Sequence, residues 1–376
     1  MDTIHYSIHD LIDVIVDARA SDTVVRAIDF QIGYFRTTGS EPRASRRIVV
    51  KPYGDFTLDP TLTFHSFHPS QGISGRCLDR PGRNPVALEK GEGSYTIYAD
   101  RRIFAFNLFL QLLLVECGTS LISAAAVMDA DDRVTLLAGA GRTGKTVLSI
   151  NMVKHRDCRL LGDDTVALSK HGKCLSFPRS FTLKDYNRST YADVLRRLNA
   201  GNETQTDFSE KRVTLKLLRL VRENAPFLGL LNNILCRLDR PDLQQKLIPS
   251  FWTSQKPPYL TAVPITEIVD PGTIADQGNV ERIVFLERYA GTEFRREPMS
   301  EASLCRRMVA IIHNEWALSM RQFFMMGALE IVDLPAYFNR VAAIIRSGVS
   351  AKGCEMFLIP DDASPDELWA QFSSLY

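Results

Sequence analysis

The chain has 376 residues, of which 45% are hydrophobic and 24% charged, the proportions of a globular protein with a sizeable core. They exclude a largely disordered, collagen-like or small disulfide-stapled chain. Lysine plus arginine number 45 against 44 aspartate plus glutamate, a net charge of +1, which gives no basis for a nucleic acid or a polybasic membrane surface as partner.

Seven cysteines, an odd number with no C-x-x-C spacing, argue against a disulfide framework or a structural zinc site and fit a reducing cytoplasm. Met1 to Asp10 is polar and lacks the apolar centre of a secretory signal. The most apolar stretch, Ile103 to Val115, is interrupted by Asn107 and Gln111 and closed by Glu116. It is too short and too polar to span a bilayer and predicts a buried helix over 102–117.

Taken in order, residues 1–100 form a β-rich region. Val24–Phe35, Arg47–Tyr53 and Ser94–Ala99 are rich in β-branched and aromatic residues, with Gly39, Pro42, Gly54 and Pro60 as turn signals. His65 and His68 lack a nearby third ligand and read as surface or packing residues rather than a metal pair. Residues 101–299 form the central region, with a variable insertion around 184–260 broken by Pro241, Pro257 and Pro258. It holds predicted strands over Leu121–Met128 and Arg282–Leu286 and a hairpin, Thr165–Leu168 and Lys173–Phe177, turning through His171-Gly172. Residues 300–376 read as helical. Pro335 opens one helix and Gly348 closes it, and Ser364-Pro365-Asp366-Glu367 is a capping box with proline at the first helical position.

The strongest chemical signal is Gly139-Ala140-Gly141-Arg142-Thr143-Gly144-Lys145-Thr146, which matches G-x-x-x-x-G-K-[ST]. Glycines let consecutive backbone N–H groups turn inward on an anion, and a following helix adds its positive end. Lys145 is placed to reach the β- and γ-phosphates of a nucleotide, and Thr146 to offer a hydroxyl to Mg²⁺. The apolar run Val134–Ala138 predicts the strand that such a loop needs before it. Val147, Ile150 and Val153, with Leu148 and Met152, predict the helix after it.

Asp163 and Asp164 close another apolar run, with Asp163 18 positions after Lys145. By itself Asp-Asp reads as a polar turn. At one helix and one short strand from a phosphate loop, it places two acids beside bound phosphates if the two strands run the same way. One acid could ligate Mg²⁺ while the other accepts the proton of an attacking hydroxyl.

This combination, a Walker A loop, one helix and a strand ending in Asp-Asp, resembles the catalytic domain of HPr kinase/phosphorylase, which is related in fold to the nucleotide core of bacterial phosphoenolpyruvate carboxykinase. The resemblance runs from about Leu110 to Phe177, with weaker similarity at Ile283 to Arg288. It implies an α/β P-loop kinase core, phosphate binding by Gly139 to Thr146, Asp163 as catalytic acid/base beside Lys145, and a metal held by Thr146 and Asp164. Two departures stand out. Ser123 occupies the place of a family histidine in Ile122-Ser123-Ala124-Ala125-Ala126-Val127, and Phe177-Pro178-Arg179-Ser180-Phe181-Thr182-Leu183-Lys184 replaces a glycine-rich family segment. The pattern is more similar to the divergent HPr-kinase-like proteins of peptide natural-product pathways, among them kinases that phosphorylate a serine of lasso-peptide precursors.

The expectation is therefore an ATP- and Mg²⁺-dependent cytoplasmic kinase that acts on a hydroxyl of a peptide or of a small molecule, with no nucleic-acid or membrane partner. A homo-oligomer is left open by the sequence. A non-catalytic nucleotide-binding regulator is the alternative. Retention of both acids argues against it, because a pure binder needs fewer carboxylates near phosphate. An ATPase driving a partner machine would carry its second acidic motif on a later strand. No cluster of histidine, lysine and aspartate suggests the manganese site of the carboxykinase. Arg142, Arg179 and Lys184 are further candidates for phosphate or acceptor contact.

Overall fold

Thr3–Ile8 (β1) and Ile12–Asp17 (β2) bury Tyr6, Ile8, Ile12, Val14 and Val16 at every second position and pair as an antiparallel hairpin. The computed structural model that contains them describes residues 3–38, 43–56, 86–100, 103, 106–183, 261–263, 265–315, 323–324, 326–328, 330–350 and 352–375. His65, His68, Lys184, the turn signals Gly39, Pro42 and Pro60, and all of the 184–260 insertion lie outside the described residues.

The chain divides into two units. One comprises residues 1–180 and 264–376, the other residues 181–263. Of the second unit, the described strands are Phe181–Leu183 and Thr261–Val263, which pair antiparallel.

In the first unit, Asp22–Ile32 is helix α1, not the strand that Val24–Phe35 predicts. Val24, Ile28 and Ile32 are its buried residues, spaced four apart, and a stripe of that period satisfies a helix and not a strand. The Ser21 side chain accepts from the Val24 N–H and caps it. Here the β-branched propensity yields to the position of the cap and the burial pattern. Arg36–Thr37 (β3), Arg46–Lys51 (β4), Val86–Gly91 (β5) and Ser94–Ala99 (β6) complete a six-stranded mixed sheet in the order β3-β1-β2-β4-β6-β5.

Phe106–Glu116 (α2) is buried almost all round, as its composition predicts. Gln111, the polar interruption, is fully buried. It donates to Ser120 Oγ at 2.8 Å and accepts from the Leu121 N–H at 2.7 Å. The polar residue thus pins α2 to Thr119–Ile122 (β7). The single strand expected over Leu121–Met128 is two, β7 and Ala124–Met128 (β8), broken at Ser123. Arg133–Ala138 (β9), Lys145–His155 (α3), Arg159–Gly162 (β10) and the hairpin Val166–Ser169 (β11) with Lys173–Leu175 (β12) follow in order. Gly172 turns that hairpin at φ +76°.

After the second unit, Gln277–Tyr289 forms a 13-residue strand. With Phe181–Leu183 and Thr261–Val263 as β13 and β14, this long strand is β15, and Arg295–Pro298 is β16. Glu301–Glu315 (α4), Leu334–Val349 (α5) and Pro365–Leu375 (α6) supply the expected C-terminal helices. The region is not all helical, however, because Gly353–Pro360 (β17) pairs parallel with β15 along its length. The result is a nine-stranded mixed sheet. Its main path is β10-β8-β9-β15-β12-β11-β7, with β17 beside β15 and β16 beside β17. Ser364 and Glu367 make the reciprocal capping-box bonds, Ser364 N–H to Glu367 Oε2 at 2.8 Å and Glu367 N–H to Ser364 Oγ at 3.2 Å. The architecture is thus mixed α/β with two mixed sheets. Among the described residues, no helix is long and apolar enough to cross a membrane.

Candidate functional site

The loop 139–146 joins β9 to α3. Two backbone conformations show why it needs glycine. Gly144 caps α3 at φ +100°, and a Cβ there would run into the Leu368 side chain of α6. At Gly139 a Cβ would stand 2.6 Å from the Leu286 carbonyl oxygen of β15. Ala140, Gly141 and Arg142 are exposed at the tip, while Thr143 is buried and donates through Oγ1 to the Ala140 carbonyl at 2.9 Å. Arg288, near the end of β15, braces the loop from behind. It donates to the Arg142 carbonyl at 3.3 Å and to the Pro360 and Asp361 carbonyls at 2.9 and 2.8 Å.

Lys145 opens α3 and is only 4% exposed. Its ammonium donates to the carbonyls of Gly139 and Ala140 at 2.7 and 2.9 Å. The loop therefore curls around the amine of its own lysine.

β10 pairs antiparallel with β8, and β8 pairs antiparallel with β9. β10 thus runs in the direction of β9, one strand removed, and the Asp163-Asp164 pair leaves the sheet at the same edge as the loop. Thr146 Oγ1 donates to Asp163 Oδ2 at 3.4 Å. Asp163 is buried and Asp164 exposed. Of the two metal candidates, Thr146 meets Asp163, and Asp164 is the next residue in the chain. Burial, and then the charge of Asp164, push the Asp163 carboxyl up to about 7, against the opposing pull of Arg179 and Lys145.

Two further groups join the cluster. Arg179 donates from Nη1 to Thr165 Oγ1 at 3.2 Å. Glu315, the last residue of α4, has its carboxyl raised by desolvation and by Asp164, and drawn back by Lys145, the Ser123 hydroxyl and Arg179. Sequence reasoning singled out Arg179 only as one of several cations, and missed Glu315 and Arg288. Glu315 stands 151 positions beyond Asp164, with no local motif to join them. A cavity of about 210 Å³ bordered by Lys90, Tyr95, Leu112, Tyr337 and Arg340 has none of these site residues in its lining.

No protein-family model matches this chain, and no curated protein is significantly similar to it.

Proposed function

We propose that the chain is a P-loop kinase of the HPr-kinase-like type, transferring the γ-phosphoryl group of ATP to a hydroxyl of a peptide or natural-product precursor. The observation that carries this is the contact between Thr146 and Asp163, which joins a glycine-rich loop at a helix start to a buried acid of raised pKa.

The loop N–H groups and the first turn of α3 would hold the phosphates. Lys145 would exchange the Gly139 and Ala140 carbonyls for phosphate oxygens. Hydroxyl and carboxylate oxygens are the hard donors that Mg²⁺ takes, so Thr146 and Asp164 suit it. Among the described residues, no three His, Cys, Asp or Glu side chains form a metal-holding group. Mg²⁺ is commonly bound by one or two carboxylates with phosphate and water oxygens, so a full protein cage is not needed. When bound it would neutralise phosphate charge. Asp163 would accept the proton of the attacking hydroxyl, and a pKa near 7 suits a group working near neutral pH. A new bond forms between the acceptor oxygen and the γ-phosphorus. The bond from that phosphorus to the bridging oxygen breaks, and ADP leaves with its electron pair.

The test uses γ-labelled ATP with Mg²⁺ and a peptide-plus-metabolite extract of the source organism, with Asp163→Asn as control. Label reaching one acceptor only with the wild type supports the kinase. Tight ATP binding without transfer to any acceptor would favour a nucleotide-binding regulator instead.

A further inference from the structure

Arg179 lies on a strap, residues 176–180, that is fixed on both sides. The Ser176 N–H donates to the Asp276 carbonyl at 2.8 Å, and the Phe177 N–H to the Leu161 carbonyl of β10 at 2.9 Å. The Ser180 N–H donates to the Phe30 carbonyl of α1 at 3.2 Å. The Phe177 ring is 1% exposed and packs on Phe35 with centroids 5.7 Å apart. His9 Nε2 lies 2.7 Å from the Ser176 carbonyl oxygen. The N-terminal sheet and its helix thus hold the strap that carries Arg179 to the acid pair.

The guanidinium is little used for so anchored a group. Its hydrogen bond to Thr165 occupies Nη1, while Nε is buried and, among the described residues, has no partner. Among the described residues it makes no ion pair with a carboxylate. Buried donors in native proteins are nearly always satisfied, and a buried cationic one without a partner is costlier still. With Nη1 engaged, the Nε–Nη2 edge remains, which is the side-on fork that meets two oxygens of a phosphate. Arg179 is close enough to Asp163 to act on its charge. Its charge acts on Glu315 as well, so the guanidinium belongs to the same acid cluster.

We infer that Arg179 is a phosphoryl-binding residue whose guanidinium contacts the non-bridging oxygens of the γ-phosphoryl group. This rests on the kinase proposal for the same site and adds a residue outside the loop to it. During transfer, negative charge is spread over those oxygens while the bridging bond breaks and the acceptor bond forms. A pre-positioned guanidinium stabilises that charge without reorganising.

The experiment compares affinities for ADP·Mg²⁺ and for the non-hydrolysable β,γ-imido analogue of ATP with Mg²⁺, by calorimetry. It uses the full-length wild type, Arg179→Ala and Arg179→Lys. The wild type should prefer the triphosphate. Arg179→Ala should reduce that preference by about tenfold to a hundredfold while ADP affinity stays within about threefold, and Arg179→Lys should restore part of it. An unchanged preference in Arg179→Ala, or a wild type with no preference, overturns the role of Arg179 and leaves nucleotide binding standing. Equal weakening for both nucleotides with a lowered melting temperature marks a structural residue and also overturns it. A wild type that binds neither nucleotide overturns the kinase proposal itself.

Discussion

Thr146 Oγ1 and Asp163 Oδ2 lie 3.4 Å apart, so the last residue of the glycine-rich loop and the first acid of the Asp-Asp pair share a hydrogen bond. They are 17 positions apart in the chain. Two strands running in the same direction, one strand apart, bring them to one edge of the sheet. Asp163→Asn keeps the shape of the side chain and removes its charge. On the proposed kinase reading it should retain nucleotide affinity and lower phosphoryl transfer by about 10²- to 10⁴-fold, the usual contribution of a general base. Equal turnover in the variant would place the base elsewhere.

Lys145→Ala should weaken ATP·Mg²⁺ binding by at least tenfold, since charge-assisted bonds to phosphate contribute about 1.5–3 kcal/mol. The lysine also bridges the carbonyls of Gly139 and Ala140, so the loop loses its internal tie as well. Calorimetric titration with ATP·Mg²⁺ measures this, and wild-type affinity in the variant would remove the phosphate-loop assignment.

The raised carboxyl of Asp163 gives stability a pH dependence of definite sign. In the folded state the group stays protonated up to about 7, whereas unfolded it ionises near the ordinary value of 3.8. The folded state therefore binds the extra proton between those values. Its contribution to stability is fully present below 3.8 and is lost as pH rises through about 7. Melting curves of nucleotide-free protein should show Asp163→Asn gaining on the wild type as pH increases from about 5 to about 8. A constant difference across that range would mean an ordinary carboxyl.

Gly144→Ala has two costs, the left-handed backbone and the collision with Leu368. Leu368 is fully buried, so Leu368→Ala alone should cost about 2–5 kcal/mol. The double variant should be less destabilised than the sum of the singles, because the smaller side chain removes the collision and leaves only the backbone strain. Denaturant titration of the four proteins tests this; strict additivity would mean that α6 does not press on the loop.

Gln111→Leu leaves the buried Leu121 N–H without its partner and removes the bond to the Ser120 hydroxyl, which keeps its own bond to the Leu121 carbonyl. A loss of about 1–3 kcal/mol is expected despite the gain in hydrophobicity. An unchanged or higher melting temperature would show that the pair is dispensable.

Several parts of this molecule are local and were legible in the chain. The loop 139–146 is one, since its glycines and lysine act within eight residues. The Ser364–Glu367 capping box, strand Ser94–Ala99 and the hairpin through His171-Gly172 are others, each set by neighbours a few positions away. Spacing also carried the expectation that Asp163 returns to the loop edge, because one helix and one short strand leave the chain little choice. Tertiary packing decided the rest. Val24–Phe35 has strand-like composition, yet a core accepting Val24, Ile28 and Ile32 on one face makes most of it a helix. Gly353–Pro360 becomes a strand because β15 offers a long edge to pair with. Arg179 reaches the acid pair because α1 and β10 fix its strap, and Glu315 because α4 ends beside it. Such contacts join residues far apart in the chain, and neither a local period nor a short motif records them; only the closing of the sheet brings them together.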